Sequence, residues 1–246
     1  MKIENGIYML EIESNTTGKP TTIYPTLISN NDSIVLVDTG FPGVFNQICE
    51  AVEKEGLELS KLDTIIFTHQ DIDHIGNVSE ILNKVSGNIK TFSHEEEKAY
   101  INGEKIPVKL AILETNLENL PDNMKAAHKM LKAGFQNNRV NIDYTLIEGQ
   151  ELPYCGGMTV IHTPGHTPGH ICLYFKQLKV LIAGDIFAIS DGLLMRGNQA
   201  YNFDNEENNK SIQKLMEYYI ETVICYHGGM YNDNVNKRIA ELVNGD

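Results

Sequence analysis

Five short runs rich in β-branched residues dominate this sequence, and each ends on an aspartate or a histidine. Residues 33–37 stop at Asp38, 64–68 at His69, 158–161 at His162, 179–184 at Asp185 and 221–226 at His227. Runs of this length, branching and flanking turn chemistry read as buried strands. Strands that share a direction deliver such side chains to one sheet edge, where α/β proteins place ligand sites. Asp and His also end strands as ordinary turn formers, which accounts for one or two cases but poorly for all five.

Helix-compatible spacing covers 45–54, 77–85, 95–101, 123–133 and 208–219, and hairpin-like strands cover 6–12 and 21–29. The order gives an α/β chain whose sheets are covered by helices. Residues 95–144, rich in Glu, Lys and Asn, read as a helical insertion over one face, so residues 1–246 are expected to form a single domain. The insertion's apolar residues, Ile106, Val108, Leu110, Ile112, Leu113, Leu131 and Phe135, read as ordinary packing, with a pocket roof or a homodimer contact as alternatives. A formal net charge of −13 works against a grip on phosphate backbones or anionic lipid, so neither a nucleic acid nor a membrane is an expected partner. The first 15 residues lack a signal-peptide core, and no apolar run approaches the ~18 residues of a membrane span. A cytoplasmic protein acting on a small molecule is expected. Cys49, Cys155, Cys172 and Cys225 form no C-x-x-C pair and read as reduced, small apolar residues.

Directly behind the second strand, His69-Gln70-Asp71-Ile72-Asp73-His74 sets out H-x-D-x-D-H. Alternate residues of an extended turn point to opposite sides, so His69 and Asp71 can face one way and Asp73 and His74 the other. Imidazole and carboxylate are ligands for zinc and also suit iron and manganese. A second block, His162-Thr163-Pro164-Gly165-His166-Thr167-Pro168-Gly169-His170, spaces three histidines by four through consecutive tight turns. Not all three can bind the same ion as His69, so at least one has a structural role.

With Val37-Asp38-Thr39-Gly40, Ala183-Gly184-Asp185 and Tyr226-His227-Gly228-Gly229, these blocks resemble the metallo-β-lactamase superfamily in order and spacing over nearly the whole chain. The resemblance implies a four-layer αβ/βα sandwich with a dinuclear metal site at the upper edge of its sheets. It implies one ion on His69, Asp71 and His166, the other on Asp73, His74 and His227, and Asp185 bridging both. Asp38 matches a position that supports the site from behind, with His170 in a like role. His162 is expected to be structural, and His94 and His128, assigned to the insertion, to be exposed or pocket-lining. The family's first block is usually H-x-H-x-D-H. Zinc is the expected metal, and Asp71, which replaces the second histidine with a hard, negative oxygen donor, makes iron or manganese the alternative.

Two such ions about 3.5–4 Å apart hold a bridging hydroxide and clamp attacking and leaving oxygens. The implied reaction is hydrolysis of an ester, lactone or thioester-type bond, with Asp73 and Asp185 fixing the ions and orienting the nucleophile. Lactonases of the family often carry a tyrosine three residues after the bridging aspartate, where this chain has Ala188; Tyr201 in the next loop reads mainly as packing. The glutathione thioesterases carry a basic C-terminal extension that the 19 residues after His227 do not supply. A diiron redox centre, suggested by Asp71, and a metal-holding protein with little turnover are the other readings; those 19 residues also leave no room for the flavin domain of the diiron branch.

Overall fold

The computed structural model describes residues 1–4, 6–16, 18, 20–30, 33–115 and 117–245. Residue 116 of the expected insertion and residue 246 at the end of the expected domain lie outside the described residues. The N-terminal half contains β1 (Lys2–Glu4), β2 (Ile7–Met9), β3 (Ile12–Ser14), β4 (Thr21–Ile23), β5 (Thr26–Asn30), β6 (Ser33–Val37), α1 (Phe45–Lys54), β7 (Leu62–Ile66), α2 (Ile72–Ile75), α3 (Val78–Lys84) and β8 (Lys90–His94). Next come α4 (Glu95–Ile101), α5 (Val108–Glu114) and α6 (Asp122–Asn137), then β9 (Tyr144–Leu146), β10 (Glu151–Leu152), β11 (Met158–His162), β12 (Ile171–Phe175) and β13 (Val180–Ile182). A hairpin of β14 (Phe187–Ser190) and β15 (Leu193–Arg196) precedes α7 (Asn205–Lys214), β16 (Thr222–Cys225), β17 (Gly229–Tyr231) and α8 (Val235–Asn244).

One sheet has the order β1-β2-β5-β6-β7-β8-β9 and the other β10-β11-β12-β13-β16-β17. The layering follows from side-chain alternation along the strands. On β6, Ile34 and Leu36 point to a core shared with Ile48 and Val52 of α1, whereas Val35 and Val37 point to a core shared with the other sheet. On β12, Ile171, Leu173 and Phe175 enter that same inter-sheet core, while Cys172 and Tyr174 face a third core with Ile212 of α7 and Ile239 of α8. Strands apolar on both faces therefore stack helix, sheet, sheet, helix, the sandwich expected from the sequence.

Strand direction places the site. β6 and β7 are parallel, as are β13 and β16. β11 is antiparallel to β12, and β12 to β13, so β11 shares the direction of β13. The sheets are stitched together at the edge where these strands end: Ile171 N–H donates to the Thr68 carbonyl at 3.0 Å and Tyr24 N–H to the Tyr226 carbonyl at 3.0 Å.

The insertion is helical, but its apolar residues divide. Val108, Leu110 and Phe135 are buried, as ordinary packing requires, and Ile106 and Ile112 are exposed. Helix α8 was not expected, although Val235, Ile239 and Leu242 bury one face of it at helical spacing. His94 and His128 depart from expectation. His94 ends β8, ahead of the insertion helices, and is buried with its ring stacked on His162 at 3.9 Å. His128 is buried on α6 with Nε2 3.2 Å from Glu114 Oε1. Ring burial against a partner outweighed polarity in both cases. Among the described residues, no helix is long and apolar enough to cross a membrane.

Phe175 is fully buried between the sheets, and its replacement would open a cavity that the rigid strands close only in part. Phe175→Ala is expected to cost about 3–5 kcal/mol, whereas Ile112→Ala, at an exposed position, should stay within about 0.5 kcal/mol. Denaturant unfolding of both variants measures the difference; equal losses would contradict this assignment of the core.

Candidate metal centre

The side chains at the strand ends converge because the backbone there is bent sharply and pinned. Asp38 follows β6 in the left-handed region, with φ of 63°, a conformation that costs a non-glycine residue of order 1–3 kcal/mol unless its surroundings hold it. They do. The Asp38 carboxylate accepts the Thr68 N–H and the Thr68 hydroxyl, each at 2.8 Å, and lies 2.9 Å from His74 Nδ1. At the end of β13, Gly184 has φ of 54°, and an added Cβ would sit 2.6 Å from His170 Nε2. Only glycine fits beneath the Asp185 turn.

Three histidines are locked in the same sense. His74 Nδ1 is 2.9 Å from Asp38 Oδ2, His69 Nδ1 is 3.1 Å from Thr68 Oγ1, and His166 Nδ1 is 2.9 Å from Asn202 Oδ1. Donation by each Nδ1–H turns Nε2 toward the centre, where an ion would take it in place of a proton, the arrangement that metal-binding imidazoles require. His170 has the opposite arrangement: its Nε2 accepts the Asp185 N–H at 3.0 Å and its Nδ1 is 2.8 Å from Thr163 Oγ1. Both nitrogens are engaged, so it holds the Asp185 backbone and has no nitrogen left for an ion. His162 stacks on His94 and its Nε2 lies 3.0 Å from the Pro168 carbonyl. Tyr226 stacks on His74 at 3.8 Å and donates its hydroxyl to the Asp73 carbonyl.

Two groups of donor atoms result, one of His69, Asp71, His166 and Asp185 and one of Asp73, His74, Asp185 and His227. Within each, one ligand atom per residue lies within 4.8 Å of the others. The spacings are short: His69 Nε2 and His166 Nε2 are each 3.0 Å from Asp71 Oδ2, His166 Nε2 is 3.5 Å from Asp185 Oδ2, and His227 Nε2 is 3.2 Å from Asp73 Oδ2. Ligands about 2.0–2.2 Å from one zinc lie roughly 3–3.5 Å apart. Among the described residues, Asp71 Oδ1, His74 Nε2 and Asp185 Oδ1 are buried without a hydrogen-bond partner; His74 Nε2 and Asp185 Oδ1 are only 3.2 Å apart but are not aligned to bond. Unpartnered buried polar atoms of this kind are costly, and a divalent ion in each group would satisfy them. The donor set fits two metal ions.

The electrostatics agree. Burial raises the carboxyls of Asp71, Asp73 and Asp185, yet neighbouring cations hold Asp71 and Asp185 well below the usual range and Asp73 at about 2. Burial lowers His74 and His227, yet the carboxylates lift His74 well above an ordinary imidazole and His227 to about 10. A buried cluster with three carboxylates demands positive charge.

Sequence reasoning missed three residues that touch this centre or hold it. Lys109, on α5, contacts Asp71 Oδ2 and lies 3.4 Å from His166 Nε2. Glu97, buried on α4, accepts the Gln70 N–H at 2.8 Å, Gln70 Nε2 at 3.0 Å and the Gly169 N–H at 2.7 Å, tying the two motif loops together. Burial pushes its carboxyl up to about 7 against the pull of these donors. Gln70 in turn accepts the Val108 N–H at 2.8 Å. Nothing in the local pattern of a Glu- and Lys-rich segment separates Glu97 and Lys109 from solvated neighbours, and Gln70 is a variable position of its motif. Tyr201 does lie against the insertion, beneath Lys109, but it is 56% exposed and not packed in. A cavity of ≈ 140 Å³ beneath the insertion, lined by Tyr100, Ile101, Phe135 and Arg139 among others, includes none of the metal-group residues.

The sandwich, the paired donor groups and the order of the motifs coincide with one known family. A family model described as the metallo-beta-lactamase superfamily matches residues 18–227. The chain belongs to this superfamily. It is 30% identical over 233 residues to a probable metallo-hydrolase, YflN, of Bacillus subtilis (strain 168), covering 89% of this chain and 84% of the relative. It is 28% identical to a hydroxyacylglutathione hydrolase of Brucella ovis, covering 91% of this chain and 67% of that enzyme. Among solved structures, a metallo-beta-lactamase family protein from Thermus thermophilus superposes with a TM-score of 0.74 at 23% identity, covering 99% of this chain and 80% of that one. As a member of this superfamily carrying the two donor groups, the chain is a metal-dependent hydrolase.

Asp38→Asn should keep the shape of the pocket but replace one acceptor oxygen with a donor, so it cannot serve Thr68 and His74 together. Affinity for zinc, measured by competition with a chromophoric chelator, is expected to fall about 10–100-fold. Unchanged affinity would show that the His74 tautomer is fixed by something else.

Proposed function

We propose that this chain is a dinuclear hydrolase that cleaves an ester, lactone or thioester-type bond of a small molecule. The observation that carries the reading is Asp185, the residue shared by the two donor groups: Oδ1 is 3.2 Å from His74 Nε2, and Oδ2 is 3.5 Å from both His166 Nε2 and His227 Nε2. The proposed ligands are His69, Asp71, His166 and Asp185 for one ion and Asp73, His74, His227 and Asp185 for the other. Zinc is the proposed ion, and the oxygen donor of Asp71 is what favours iron or manganese in its place.

When bound, two divalent ions supply Lewis acidity and an activated water. The chain's own residues supply position. Asp73 and Asp185 would hold the ions and orient the attacking oxygen, while Asp38, Thr68 and Asn202 keep the imidazoles turned inward. His227 is more exposed than His69, His74 or His166, so substrate enters from its side and from that of Tyr201. Phe203, whose N–H donates to the His166 carbonyl, and Tyr201, under Lys109, are exposed aromatics, a surface suited to an apolar acyl group. Similarity to hydroxyacylglutathione hydrolases favours a thioester within this class, and the −13 charge disfavours polyanionic substrates.

The test is elemental analysis of protein purified without added metal, followed by a panel of carboxylic esters, lactones and thioesters on the same preparation. Two zinc ions per chain with turnover of one class is the expected result. Asp185→Ala should lose metal and reduce kcat/KM about a thousandfold, some 4 kcal/mol of transition-state stabilisation. Two retained metals with full turnover would refute the role of Asp185. Two irons with oxidase activity would replace hydrolysis with the redox reading.

A further inference from the structure

Lys109 is the one lysine whose Nζ contacts a residue of either donor group among the described ion pairs. It comes from the insertion, not from the sandwich, and its Nζ is bracketed by Asp71 Oδ2, His166 Nε2 at 3.4 Å and the face of the Tyr201 ring, 5.1 Å from the centroid. Its side chain remains a quarter exposed. The ammonium thus lies at a partly open edge of the His69–Asp71–His166 group, beside the exposed Tyr201 ring.

The helix that carries it is held in place. Val108 N–H, in the first turn of α5, lacks an intrahelical acceptor and donates instead to Gln70 Oε1 at 2.8 Å. Gln70 lies between His69 and Asp71 in the motif, and Glu97 clamps it from behind. A lysine on a free surface helix samples many rotamers; this one is anchored through its backbone to the loop that carries the ligands.

Charge explains what such a cation can do. Asp71, Asp73 and Asp185 offset three of the four positive charges that two divalent ions bring. Hydroxide addition to a carbonyl develops a full negative charge on the acyl oxygen, and a centre so neutralised has little excess positive charge to meet it. Preorganised donors aimed at that oxygen are a large source of rate.

Resting on the hydrolase reading above, we propose that Lys109 is a catalytic residue of this enzyme, the donor that stabilises the oxyanion formed when the acyl bond is attacked. The Nζ–H that contacts Asp71 turns to the substrate oxygen as that oxygen gains the electron pair of the carbonyl π bond. The proton stays on nitrogen throughout, and the pair returns to re-form the carbonyl as the C–O or C–S bond breaks; the alkoxide or thiolate that leaves takes up the proton of the added hydroxide, and the acyl group departs as a carboxylate. The Tyr201 ring stays under the ammonium and keeps it at that edge.

The experiment compares wild type, Lys109→Met and Lys109→Arg, each loaded with zinc. Metal content and thermal unfolding come first, and both should be unchanged. For Lys109→Met, kcat on the best ester or thioester of the panel is expected to fall about 10²–10³-fold with KM altered only a few-fold, and Lys109→Arg should recover part of the loss. A second readout needs no turnover. A methylphosphonate monoester, which carries the charge and tetrahedral shape of the attacked acyl group, should bind the zinc-loaded wild type at least about tenfold more tightly than Lys109→Met in calorimetry. Loss of zinc from Lys109→Met would overturn the proposal in favour of a role in holding Asp71, as would equal phosphonate affinity or a kcat within threefold of wild type. Absence of wild-type turnover across the whole panel would instead count against the hydrolase reading, and the phosphonate comparison would still decide the role of Lys109.

Discussion

The structure depends on a concentration of negative charge that no protein interior keeps without an answering cation. Asp71 and Asp185 are almost wholly buried and Asp73 nearly so, at a seam where two sheets are stitched edge to edge. Burial of even one unpaired carboxylate costs several kcal/mol. The surrounding framework is arranged around that cost. Asp38 accepts a left-handed backbone to reach Thr68 and His74, Gly184 leaves room for His170 to hold the Asp185 N–H, and Tyr226 braces His74 with its ring and Asp73 with its hydroxyl. Each contact fixes a ligand from outside and leaves its inward atom unspent.

Most of the scaffold was legible because it is written in local pattern. The β-branched runs became β6, β7, β11, β13 and β16, and four of the five residues that end them entered the centre or its support. The fifth, His162, reads the same in sequence but faces His94. A strand end specifies where a side chain emerges, not what it meets, and that difference lies in the other sheet. Helix α8 was overlooked although its burial pattern was present, because no motif drew attention to the tail.

What could not be read was contact across the insertion. Glu97 and Lys109 belong to stretches whose composition is that of any solvated helix. Their meaning comes from tertiary placement: Glu97 lies within hydrogen-bond reach of two loops that are about a hundred residues apart in sequence. Periodicity separates buried from exposed faces, but it does not separate a lysine that meets water from one that meets a carboxylate. His94 and His128 were misjudged for the same reason, since each is buried by a partner that the sequence does not place.

The centre is therefore built from two sources with different constraints. The sandwich supplies the proposed ligands from strand ends and tight turns, where a small displacement of one ligand disturbs the others. The insertion supplies Lys109 from a short helix joined to the motif loop through Gln70 and Glu97. That junction uses side chains adjacent to the ligands and touches no ligand atom itself, so the helix is registered to the centre through Gln70 and reaches Asp71 and His166 through Lys109. A protein organised in this way can change the sequence of the insertion, and with it the polarity of the partly open edge, while the donor groups stay where the sheets put them. Gln70 is the residue on which this separation rests: it sits within the ligand motif, yet its side chain reads the position of α5.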